Sequence, residues 1–139
     1  MSLNPYLFFD GNCEEAFQFY VKVLNGTIEA MMKHTGTPAE EHVPPNWGDK
    51  IIHASMKIGN DVLMASDAPP PREPMKGFSV ALHYDDAKEG ERVFDALADG
   101  GKVTMPFAET FFAERFGMLV DRFGTPWMIN CPRTDTTSN

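Results

Sequence analysis

The chain has 139 residues, 42% apolar and 23% charged, and its 20 acidic against 12 basic side chains leave a net charge of −8. That is the size and balance of one ordinary globular domain, and it argues against wrapping a phosphate backbone, which needs a basic face, so no nucleic-acid partner is expected. No apolar run approaches the eighteen or so residues of a membrane span, the start MSLNPYLFFDG lacks the layout of a signal peptide, and two cysteines make no disulfide framework. No membrane partner is expected, and the cytoplasm is the expected location.

The first element in chain order is PYLFF, residues 5–9, a β-rich run with its proline at the tolerated first position. DGNCEEAFQFYVKVLNG follows. Asn12 is placed to cap a helix, Glu14 and Glu15 suit its positive end, and Ala16, Tyr20, Val23 and Leu24 share a face. Gly26 is placed to end the helix, and TIEAMMKH reads as a strand. The polar stretch TGTPAEEHVPPNWGD, 35–49, is long for a loop without structure of its own. KIIHASMKI and DVLMASD then read as a hairpin through Gly59-Asn60. Counting outward from that turn sets Asp67 opposite Ile52, next to His53.

The second half repeats the plan. SVALHYD is a strand, Asp85 or Asp86 caps a helix, and Val93, Phe94 and Leu97 point inward before a stop at Gly100. KVTMPFAE, RFGMLVD and TPWMINC supply three further strands, the last two joined through Phe123 and Gly124. Superposing the terminating glycines, Gly26 on Gly100, sets Tyr20 on Phe94 and Val23 on Leu97, an offset of half the chain. Each half therefore reads βαβββ. The expected layout is a first module at 1–67, a linker at 68–77, a second module at 78–132 and a disordered tail at 133–139, all within one structural domain.

Several side chains carry a chemical reading beside a plain one. His53 lies mid-strand, where a cavity-facing imidazole is a general base near neutral pH and a hydrogen-bonded structural histidine is the alternative. Asp67 would orient that imidazole, or would cap the turn after its strand. Glu109, Thr110, Phe111 and Phe112, with Glu114 and Arg115 close by, form either the rim of a polar site or a solvated loop with an aromatic anchor. Trp127 and Asn130 offer an apolar wall and an orienting amide, or simply finish the sheet. His34 and His42 straddle a loop with Glu40 and Glu41, but their spacing matches no ligand motif. Cys13 at a helix start reads as a small buried residue, because Glu14 and Glu15 oppose a thiolate there. Met31, Met32, Met56, Met64, Met105, Met118 and Met128 fall in strands, suiting a core, an interface or an adaptable apolar cavity.

The order βαβββ–βαβββ with GNCEEAFQFY after the first strand resembles the vicinal-oxygen-chelate superfamily of glyoxalase I, extradiol dioxygenases and bleomycin-resistance proteins. IIHASMKIGNDVLMASDAP, GFSVAL, EGERVFDALADGGKVTMPFAETFFAERFG and VDRFGTPWMIN resemble its PhnB-like branch, whose members also carry a demethylubiquinone-methyltransferase label. The chain has no glycine-rich strand-to-helix turn of the kind that cradles a nucleotide-like cofactor. The resemblance implies an α+β fold of two βαβββ modules, forming a curved mixed sheet around a cavity, and a homodimer. It places the superfamily's four metal-ligand positions on Pro5, Met64, Ser79 and Met128. Proline has no donor side chain, a serine hydroxyl is a poor ligand and thioethers suit soft Cu(I), so neither metal nor other cofactor is expected. Arg72, Arg92, Arg115, Arg122 and Arg133 are scattered, so no phosphonate site is marked.

Two functions follow. In one, a metal-free apolar pocket binds a small organic molecule through Met64, Ser79, Glu109, Phe112, Trp127, Met128 and Asn130. In the other, the chain is an enzyme, a lyase or oxygenase, working through His53 and Asp67 or a non-standard metal site. Whether it is an enzyme is left open.

Overall fold

A computed structural model describes residues 1–133. The chain folds as two compact units that part between Pro74 and Met75, inside the expected linker. Each unit has one helix on one four-stranded mixed sheet, open at both edges.

The first unit holds β1 (Tyr6–Phe9), α1 (Cys13–Leu24), β2 (Thr27–Lys33), β3 (Ile51–Ile58) and β4 (Asp61–Asp67), in sheet order β1-β4-β3-β2. β1 lies parallel to β4, and the other pairs are antiparallel. Alternation sorts each strand. Leu7, Phe9, Ala54, Met56, Leu63 and Ala65 are buried, as are Ala16, Phe17, Tyr20, Val23 and Leu24 of α1. The opposite face carries Tyr6, Phe8, Met32, His53, Ser55 and Met64. The β3–β4 ladder runs from Ile58↔Asp61 to Ala54↔Ala65, the register counted from the sequence. In the turn Gly59 has φ +60°, and Asn60 is not among the positive-φ residues. A positive φ at the first central position alone is the type II′ pattern, so this position suits glycine.

Two expectations about α1 need correction. Asn12 sits at the N-cap, but its φ of −116° and ψ of 25° are not those of a capping residue, and its side chain makes no cap hydrogen bond. At the other end the left-handed residue is Asn25, φ 55°, one place before the expected glycine. Gly26 instead gives close approach: a Cβ there would sit 2.9 Å from Met56 Cε and 3.0 Å from Lys57 O. Between β2 and β3 the expected loop contains a short 3-10 helix, Pro38–His42, whose N-cap Thr37 accepts from Ala39 N.

The second unit holds β5 (Val80–His83), α2 (Ala87–Ala98), β6 (Lys102–Ala108), β7 (Ala113–Val120) and β8 (Pro126–Pro132), in sheet order β5-β8-β7-β6. α2 matches α1 in length, and Ala87 stands to Cys13 as Gly100 does to Gly26, the offset read from the sequence. Asp86 caps it through Lys88 N at 3.0 Å, and Val93, Phe94 and Leu97 are buried. Packing against the sheet is close. A Cβ on Gly90 would lie 2.5 Å from Cys131 Sγ, and one on Gly117 2.6 Å from the Phe94 ring. Pro106 stands in β6, an edge strand, where its missing N–H costs little. Arg133, expected in the disordered tail at 133–139, is anchored to Glu109 and Thr110; residues 134–139 lie outside the described residues.

Candidate functional site

In the first unit the structure separates the two residues expected to work together. The Asp67 side chain turns toward the helix, where Oδ1 accepts from Cys13 N and Oδ2 from Ile51 N, each at 2.9 Å. This carboxylate supplies the cap that Asn12 does not, and it ties the ends of β4 and the loop before α1 to the start of β3. His53 projects from the other face. Its Nδ1 is 3.1 Å from the Tyr6 hydroxyl, and the two rings stack with centroids 5.8 Å apart. One residue's step along a strand reverses the face, so a carboxylate diagonal to the histidine in register need not reach it. The hydroxyl that does reach it belongs to β1.

The face around His53 is apolar and solvent-accessible. Tyr6 is 37% exposed, Phe8 56% and Met32 50%. Met64 pairs with Tyr6 on one side and Ser55 on the other, and Met32 pairs with His53. This face combines sulfur and aromatic surface with one hydrogen-bonded polar pair.

In the second unit Trp127 is not a site wall. It is fully buried, in register with Leu119, and its indole N–H donates to Asp121 Oδ2 at 2.8 Å. Alternation sends Trp127, Ile129 and Cys131 to the buried face and leaves Met128 and Asn130 on the other. Asn130 Nδ2 lies 3.1 Å from His83 Nδ1, its register partner on β5. Met128 pairs with Ala81 and Met118. Ser79 precedes β5 by one residue. Glu109 is held by Arg133 at 3.0 Å, and Thr110 Oγ1 accepts from Phe112 N and Ala113 N, so this loop is closed by its own bonds. Phe112 is half-exposed and meets Phe111 and Phe116 edge-on, each with centroids 5.1 Å apart.

The four positions expected to correspond to the superfamily's metal ligands, Pro5, Met64, Ser79 and Met128, offer a proline, two methionines and a serine. Within the first unit Pro5 faces Met64 only through its backbone, Met64 N donating to Pro5 O at 3.1 Å. Among the described residues no three His, Cys, Asp or Glu side chains gather as a metal-binding group. These residues do not fit a hard or borderline divalent ion. His34 is buried with Nδ1 2.9 Å from Lys50 O, and it is not gathered with His42. Cys13 is buried; desolvation, then the Asp67 and Glu14 charges, push its thiol far above the ordinary range, so it is held as the neutral thiol.

A cleft of about 340 Å³ opens at the start of α1, lined by Gly11, Asn12, Glu14, Glu15, Asp49 and Lys50, with Asp67 at its base. Lys50 Nζ is committed to Gly11 O at 3.1 Å. The remaining charge is acidic, and both Asp67 oxygens are already used.

Three residues of consequence escaped the sequence reading. Asp121 orders the last hairpin, its Oδ1 accepting from Phe123 N and Thr125 N at 2.9 Å. The Asp-x-x-Gly spacing before TPW was its available signal. Tyr6 and His83 had only strand alternation to mark them, because their partners are set by parallel pairings across the sequence.

A model of the family described as 3-demethylubiquinone-9 3-methyltransferase matches residues 1–130. The crystal structure of protein PA1353 from Pseudomonas aeruginosa is 48% identical, with TM-score 0.88 over 95% of this chain and 98% of that one. A putative 3-demethylubiquinone-9 3-methyltransferase, PhnB protein, from Bacillus cereus superposes with TM-score 0.80 at 23% identity, covering 94% and 99%. A glyoxylase/bleomycin resistance protein/dioxygenase domain from Frankia sp. EAN1pec shares the fold, TM-score 0.68 at 11% identity, covering 96% and 98%. Among the described residues no helix is long and apolar enough to cross a membrane.

Proposed function

Since the chain belongs to the PhnB-like, 3-demethylubiquinone-9 3-methyltransferase family of glyoxalase-fold proteins, whose activity is unassigned, we propose that it binds a small organic molecule without a metal. The observation that carries this reading is the face of the first sheet around His53. Solvent-exposed Tyr6, Phe8 and Met32 surround one hydrogen-bonded imidazole there. Exposed apolar surface with a few polar groups is the make-up of a ligand surface, and methionine side chains adapt to ligand shape. Met64 and Ser55 extend it, and in the second unit Met128 and Asn130 occupy the corresponding face.

The test uses purified full chain and a panel of neutral aromatic and aliphatic compounds, read by thermal shift and NMR. Binding should raise Tm, and Met64→Lys should abolish it by placing a charge on the apolar face. A panel with no binder, or binding untouched by Met64→Lys, overturns the proposal. Elemental mass spectrometry of protein never exposed to chelator or affinity metal tests the metal-free part. Stoichiometric Zn, Ni, Mn, Fe or Cu would overturn that part.

The enzymatic reading is favoured by one observation, the Tyr6–His53 pair. The hydroxyl fixes one ring nitrogen and leaves Nε2 as the atom to exchange a proton with a bound molecule. His53→Gln separates the readings: a binder keeps its affinity, whereas an enzyme keeps affinity and loses turnover. A homodimer and a cytoplasmic location complete the proposal; light scattering that returns the monomer mass of 15.5 kDa would remove the dimer.

A further inference from the structure

We propose that the His83–Asn130 pair is a polar subsite that selects neutral ligands bearing a hydroxyl or N–H donor. This rests on the small-molecule reading above and names the chemistry that the second unit would recognise. His83 on β5 and Asn130 on β8 are in register, on the face turned away from α2. The amide nitrogen of Asn130 lies 3.1 Å from His83 Nδ1. The nitrogen donates, so the imidazole accepts at Nδ1 and carries its proton on Nε2. The other end of the same amide, Asn130 Oδ1, is buried and has no hydrogen-bond partner among the described residues.

A buried amide oxygen left without a donor costs about 1–3 kcal/mol. Nearly all such oxygens in folded proteins are satisfied. Among the described residues none donates to this one. Its cross-strand partner on β7 is Phe116, and two residues along β8 the face continues as Met128 opposite Met118 and Ala81. These apolar neighbours disfavour a charged group, whose desolvation they do not repay. An anion is also repelled by the amide oxygen itself. A neutral O–H or N–H on an apolar body satisfies both demands: the donor reaches Oδ1, and the body lies against the methionines and Phe116. A molecule of the same shape that only accepts leaves Oδ1 unpaired and is rejected, because sites built to hydrogen-bond discriminate strongly against analogues lacking the group.

The experiment compares phenol with anisole, which differ in a hydroxyl hydrogen against a methyl, on the ¹⁵N-labelled full chain. Affinities come from titrations, and location from the Asn130 side-chain amide cross-peaks. Phenol is expected to bind at least tenfold more tightly than anisole and to shift those cross-peaks. In Asn130→Leu, of similar volume, the preference for phenol over anisole should fall to within twofold. Equal binding of the two compounds by the native chain overturns the inference and leaves the small-molecule reading standing, as does phenol binding that leaves Asn130 unmoved. Binding of neither compound overturns the inference, and the wider panel then decides the small-molecule reading. The native comparison needs no variant, so a misfolded Asn130→Leu does not shelter the inference.

Discussion

The two units share an element order yet tie their hairpins down with different aspartates. In the first unit Asp67 is the last residue of β4 and holds the backbone N–H groups of Cys13 and Ile51, both distant in sequence. In the second, Asp121 precedes the last hairpin turn and holds the nearby N–H groups of Phe123 and Thr125, plus the Trp127 indole. The first carboxylate staples three distant segments, and the second folds one local turn over a core aromatic. Each of these two buried carboxylates is thus a structural acceptor. The unit with the long β2–β3 connection needs the long-range version, because the whole segment 34–50 lies between Lys33 and Ile51.

The largest effect should come from breaking the staple. Asp67→Ala strips the acceptor from two backbone N–H groups, and at about 1–3 kcal/mol for each unsatisfied donor the loss is about 2–6 kcal/mol. Urea unfolding should show the unfolding free energy in water falling by that amount, through a lower midpoint at unchanged slope. A loss below about 1 kcal/mol, less than one unsatisfied donor costs, would mean that the staple is ornamental. Trp127→Phe in the other unit removes an indole donor and ring volume, leaves Asp121 with its two local N–H groups, and should cost about 2–3 kcal/mol. Should the tryptophan substitution prove the costlier of the two, the ranking of distant over local anchoring is reversed.

Close packing of helix on sheet gives a third, smaller test. Gly90→Ala puts a methyl against Cys131 Sγ, and overpacking of this kind costs about 1–3 kcal/mol. Replacing Cys131 by Ala as well should return most of the loss, a coupling that a double-mutant cycle measures. Additive effects would show that the helix shifts instead.

Much of this was legible in the sequence, and what was not has a common cause. Periodicity and turn chemistry located the two helices and their half-chain offset, the Gly59-Asn60 hairpin and the register that puts Asp67 beyond Ala65 opposite Ala54. Local signals also found Asp86 as a cap. What failed was the direction in which end residues turn. Asp67 was set beside His53 by counting, but at the strand end it bends to the helix start, where it also takes over the capping expected of Asn12. Trp127 was expected on the site because its strand was expected there, and alternation placed it on the buried side. Tyr6 with His53 and His83 with Asn130 depend on parallel β1–β4 and β5–β8 pairings, which no local pattern encodes.

The smallest effect concerns Cys13, beneath the Asp67 staple. Burial and the adjacent carboxylates raise its thiol well above an ordinary value near 9. The folded state then keeps a proton that the unfolded chain releases once the pH passes 9, so stability is full below that pH and falls as pH rises above it. By pH 10 the loss should reach about 1.4 kcal/mol, the worth of one pH unit. Cys131 and Tyr84 are raised by burial too and add to the slope, so the comparison must isolate one thiol. Cys13→Ala should be less stable than the native chain at pH 7, for lost packing. Between pH 7 and pH 10, however, its stability should fall by about 1.4 kcal/mol less than that of the native chain. Parallel pH profiles for the two would mean that Cys13 ionises in the folded protein, and that the helix start beside Asp67 opens to solvent.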